Sequence, residues 1–117
     1  MSSVSSTLPV LVMTRNDGHF LKQCVESIIN TVTIPVTIYI IDNHSDSPEH
    51  HAILNDLKAR FEHVELVLNK KNLWILGLNK TIEKIKNTHD GKYFFLTDAD
   101  IDFSDCQAKP CWLSYLI

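Results

Sequence analysis

A chain of 117 residues allows one domain with a modest core, and 44% hydrophobic with 21% charged residues is an ordinary globular mixture. A net charge of −3 excludes a general nucleic-acid binder, because neutralising phosphates needs clustered Lys and Arg and the only adjacent basic pair is Lys70-Lys71. The three cysteines, Cys24, Cys106 and Cys111, match no zinc spacing and read as thiols of a reducing compartment.

The Ser-rich start, Met1 to Thr7, lacks the basic end and apolar run of a signal peptide, and no apolar run reaches membrane-spanning length. A cytoplasmic protein is the expectation, and a membrane-peripheral one is compatible. Leu8 to Thr14 is a continuous apolar run, the pattern of a strand buried on both faces. Asn16, Asp17 and Gly18 break it. A helix follows with Phe20, Leu21, Cys24, Val25, Ile28 and Ile29 as its buried stripe, and Pro35 ends that segment.

Val36 to Ile41 is a second buried strand, running into the turn chemistry of Asp42-Asn43-His44-Ser45-Asp46. Ser47-Pro48 reads as an N-cap followed by Pro at the first helical position, and the helix buries Ile53, Leu54, Leu57 and Phe61. The adjacent His50 and His51 diverge on a helix and read as solvated surface. Val64 to Leu68 is the third strand. A third helix presents Ile75, Leu78, Ile82 and Ile85, with Asn72, Gly77 and Asn79 around its start. Asp90-Gly91 is a turn, and Tyr93 to Thr97 is the fourth strand, ending at Asp98-Ala99-Asp100.

Apolar strands alternating with amphipathic helices predict one α/β domain, a Rossmann-like parallel sheet over residues 1–117. Ligands of such sheets sit beyond the carboxyl ends of the strands. Those ends carry Thr14, Arg15 and Asn16, then Asp42, then Asn69, then Asp98 and Asp100, so polar residues converge on one edge. In extended chain Asp98 and Asp100 point the same way, towards one divalent cation, Mg²⁺ or Mn²⁺. Two Asp residues where a strand ends are also ordinary turn chemistry. Asp42 can accept hydrogen bonds from a base or a ribose, or close an Asx-turn. Arg15 suits a phosphate, or solvent. Asn72 and Asn79 suit ligand hydroxyls, or helix capping.

The segments PVLVMTRND, IYIIDNHSD, NLWILGLNKTI and YFFLTDAD resemble family 2 glycosyltransferases of the GT-A fold, across roughly Leu8 to Phe103. The resemblance implies that Thr14, Arg15 and Asn16 contact a nucleotide and that Asp42 binds its base. Asn72, Gly77 and Asn79 would lie near the nucleotide. Asp98 and Asp100 would hold Mn²⁺ or Mg²⁺ on a nucleotide diphospho-sugar donor. The same likeness implies a first strand at the centre, beside the second and fourth, and a sugar or lipid-linked acceptor. Trp74 stands where the family often has Gly. Family members run on past this length, so the chain reads as the nucleotide-binding half, inactive alone. An unpaired apolar fourth strand then predicts self-association. The competing readings are a haloacid-dehalogenase-type phosphatase, with Asp98 as nucleophile, and a non-catalytic nucleotide-binding module.

Overall fold

Two apolar runs, LPVLVMT and VTIYIIDN, pair side by side with most of their residues buried, because each is too hydrophobic to leave a face in water, and two shorter, partly exposed strands flank them. In the computed structural model, which describes residues 7–71, 78–89, 94–102, 104 and 113, the elements follow in the order β1 (Leu8–Thr14), α1 (Gly18–Thr31), β2 (Val36–Asn43), α2 (Pro48–Arg60), β3 (Val64–Asn69), α3 (Asn79–Thr88) and β4 (Phe95–Asp98). All the described pairings are parallel, in the order β3-β2-β1-β4. The alternation of strand and helix thus yields the expected doubly covered sheet, with β1 between β2 and β4.

Residue parity sorts the side chains into two layers. Val10, Val12, Ile38 and Ile40 face α1 and α2, where Leu21, Ile28, Leu54 and Leu57 complete the larger core. Leu11, Tyr39 and Ile41 face α3, which contributes Ile85, with Leu78 at its N-cap. Full burial of each such aliphatic side chain stabilises by about 1.5–3 kcal/mol. On the α3 side the Tyr39 hydroxyl donates to His89 Nε2 at 2.8 Å, and His89 Nδ1 donates to the Thr7 carbonyl at 2.9 Å. That chain of bonds fastens the end of α3 to the start of β1.

Local sequence accounts for the helix boundaries. Ser47 caps α2, its Oγ accepting from the His50 amide at 3.4 Å, with Pro48 in the first turn. Glu49 at the start and Lys58 and Arg60 at the end suit the helix dipole. In α1 the buried stripe is Leu21, Cys24, Val25 and Ile28. Phe20, expected in it, is 52% exposed and meets the His19 ring edge-on at 5.8 Å. It precedes Leu21 by one residue, about 100° around the helix, which carries it off the buried face.

The fourth strand runs one residue further than Thr97, because Asp98 still pairs with Met13. Tyr93, the Asp90-Gly91 turn, Asn72, Trp74, Ile75, Gly77 and the segment from Lys109 to Trp112 lie outside the described residues. No described helix is long and apolar enough to cross a membrane.

Candidate functional site

The parallel register brings the strand ends to one edge. Thr14 lies beside Asp42, Met13 between Ile41 and Asp98, and Asn43 beside Asn69. Asn69 Nδ2 donates to Asn43 Oδ1 at 2.8 Å. Asp42 and Asp98 therefore flank β1, one register step apart. Two strand spacings separate their backbones, about 10 Å. Parity puts Asp42 and Thr14 on the α1/α2 side, and Asp98 on the side of Met13 and Ile41.

Asp42 is the most heavily bonded of these residues. It is 1% exposed. Its Oδ1 accepts from Ser45 Oγ at 2.5 Å and His50 Nε2 at 2.8 Å, and its Oδ2 accepts from the Ser45 amide at 3.0 Å. Burial alone would push the Asp42 carboxyl up. The hydrogen bonds from His50 and Ser45 outweigh that and hold it below the usual aspartate value of 3.8. An ionised Asp42 only accepts, so the ring nitrogen facing it, His50 Nε2, is the donor. The Asx-turn to Ser45 is thus formed, and the lone pair without a donor among the described residues belongs to Oδ2.

Ser45 is the hub of the rim. Its Oγ also accepts from the Asn16 amide at 2.8 Å, and its carbonyl accepts from His51 Nε2 at 2.6 Å. The Asn16 side chain completes a clasp between two loops. Its Oδ1 accepts from the Asp46 and Ser47 amides, both at 3.0 Å, while its Nδ2 donates to Asp46 Oδ1 at 2.9 Å. Asn16 and His44, each just beyond a strand, take φ values of 51° and 61°. That left-handed geometry is tolerated best by residues such as Asn. Thr14 is buried, and its hydroxyl donates to Asp17. Arg15 is exposed.

At the end of β4 the extended chain stops at Asp98, and Ala99 and Asp100 form a turn. Alternation along a strand therefore does not aim the two carboxylates together, contrary to the extended-chain argument. Both are exposed, and neither carries a hydrogen bond or ion pair among the described residues. Two free carboxylates suit a hard cation such as Mg²⁺, which takes one or two protein oxygens and fills its shell with water and phosphate. No group of three or more His, Cys, Asp or Glu is arranged for a metal among the described residues.

The Cys24 thiol reports the charge gathered here. Burial first, then the carboxylates of Asp100, Asp102 and Asp17, push it up to about 12. Its Sγ donates to the Asp98 carbonyl at 3.8 Å, so it is a packing residue between α1 and β4, and unreactive as a protonated thiol. Asp102 is engaged locally: the Ser104 hydroxyl and amide bond to it and hold its carboxyl below the usual range. Asn79 begins α3 and is exposed. Asn72 lies outside the described residues.

The residue that sequence reasoning missed is His50. It is 1% exposed, not solvated, while its neighbour His51 is exposed. The signal was present, because His50 precedes Leu54 by four residues and Leu57 by seven, extending the buried stripe of α2 back by one turn.

The family model described as glycosyl transferase family 2 matches residues 10–117. No match is found among curated proteins.

Proposed function

Because the chain belongs to glycosyl transferase family 2, we propose that it binds a nucleotide diphospho-sugar donor across the carboxyl edge of β2, β1 and β4. The observation carrying this reading is that Asp42, Thr14 and Asp98 lie at the carboxyl ends of three adjacent parallel strands, Asp42 one residue before the last of β2, within one register step. Open α/β sheets bind ligands at that edge. The span from Asp42 to Asp98 suits a nucleoside diphosphate.

In this reading Asp42 offers Oδ2 to a donor of the base or ribose, and Arg15 offers an exposed guanidinium to phosphate. Thr14 and Asn16 shape the floor and rim between them, and Asn79 flanks the nucleotide. Asp98 and Asp100 hold Mn²⁺ or Mg²⁺. Bound there, the cation supplies counter-charge to the diphosphate. The acceptor is a sugar or a lipid-linked group.

Calorimetry with UDP and GDP, with and without Mn²⁺ or Mg²⁺, tests the proposal. Tighter binding with metal is expected, and Asp98→Asn should abolish only the metal-dependent increment. Binding indifferent to metal would remove the cation from the site, and no binding of either nucleotide would remove the donor.

A further inference from the structure

We propose that His50 is a positioning residue for the nucleotide site, fixing the Asp42 carboxylate so that one Oδ2 lone pair is left for the ligand. This rests on the reading of Asp42 given above. The His50 ring fills a place in the α2 stripe that continues into Leu54 and Leu57, where a leucine would pack without a polar atom. Instead Nδ1 is buried with no hydrogen-bond partner among the described residues. A buried, unpaired ring nitrogen opposes folding. The compensating contact is the 2.8 Å bond from Nε2 to Asp42 Oδ1.

The ring is also held from its other side. Gly18 opens α1 against it: a Cβ on Gly18 would stand 3.3 Å from His50 Nδ1, 3.2 Å from His50 Cα and 2.7 Å from Ile53 Cδ1. The missing side chain lets the first turn of α1 close on the imidazole, so ring and carboxylate have one arrangement.

The consequence is a division of labour on Asp42. Ser45 Oγ and His50 Nε2 together occupy both lone pairs of Oδ1, and the Ser45 amide occupies one of Oδ2. A ligand donor is thereby directed to a single acceptor position. Without His50, Ser45 alone holds the carboxylate, and the vacated Oδ1 lone pair takes up water that competes for the ligand's donor.

The test compares His50→Leu, His50→Asn and His50→Gln in the intact chain. Glutamine can place an amide N–H near the position of Nε2. Asparagine is too short to reach Asp42, and leucine fills the stripe without a donor. Two quantities are read: the Asp42 carboxyl titration by ¹³C NMR, and the Kd for UDP with Mn²⁺. Leucine and asparagine should move the Asp42 titration up towards the ordinary aspartate range and weaken UDP by about tenfold. Glutamine should restore most of both. A purely space-filling role predicts leucine at least as good as glutamine, and that result would overturn the proposal. So would an unchanged Asp42 titration in all three variants. If leucine prevents folding, the asparagine–glutamine comparison decides by the same criteria. Absence of UDP binding by the unsubstituted chain overturns the donor reading and this inference together. Binding that is equal in all three variants overturns this inference alone.

Discussion

Asp42 is pulled in opposite directions by its surroundings, and its substitution should show both. Asp42→Asn keeps the shape, but an amide set in place of Oδ2 would face the Ser45 amide donor-to-donor. UDP affinity is expected to fall by about 1–3 kcal/mol, the scale of an unpaired polar contact, measured by calorimetry. The same clash should lower the denaturant midpoint slightly, because the residue is buried and not merely at the sheet rim. Acid unfolding gives an independent check. The folded carboxyl titrates below 3.8, so its stabilisation is fully present above that value and is lost as pH falls through the lower folded value. Asp42→Asn should therefore flatten part of the acid limb of stability against pH. The place of Asp42 was legible because a polar turn sequence directly after an apolar run marks the end of a buried strand. The burial of His50 was not, since paired histidines on a helix default to solvent until the apolar stripe is traced back to them.

The joint between α1 and α2 depends on one missing methyl group. Gly18→Ala would meet Ile53 Cδ1, which can rotate away, and His50 Cα, which cannot. The helices should be forced apart at their first turns, costing about 1–3 kcal/mol, typical of overpacking and only partly offset by the better helix propensity of Ala. Thermal unfolding of the variant measures it. Helices and strands themselves were readable from periodicity, and the Ser47-Pro48 start of α2 from capping chemistry alone. Phe20 and the Asp98–Asp100 turn were not. Large aromatic residues next to a buried stripe are easily assigned to it, and a strand gives no local sign of which residue ends its ladder.

For the whole molecule, strand order followed from the family resemblance, whereas the position of β4 at one end of the described sheet determines what meets solvent. Leu96 on β4 is 40% exposed, and Phe94 and Ile101 beside it are 44% exposed. Edge strands with apolar side chains favour pairing between chains. Light scattering should show association that grows with concentration, and Leu96→Lys should reduce it by placing charge on that edge. A monomer at every concentration would show that this edge is protected.

The Asn16 clasp has a thermodynamic consequence. Loops at the mouth of a binding site usually lose conformational freedom when a ligand arrives, and that loss subtracts from affinity. Here a single amide side chain has already joined the loop after β1 to the loop after β2 by three hydrogen bonds. The ordering cost on that side of the proposed donor site is met during folding, before any ligand is present. The amide protons of Asp46 and Ser47, although they belong to a surface loop, should exchange slowly with deuterium in the free protein and gain little further protection when nucleotide binds. In Asn16→Ala the same two protons should exchange fast in the free protein and slow markedly on binding, with a less favourable binding entropy.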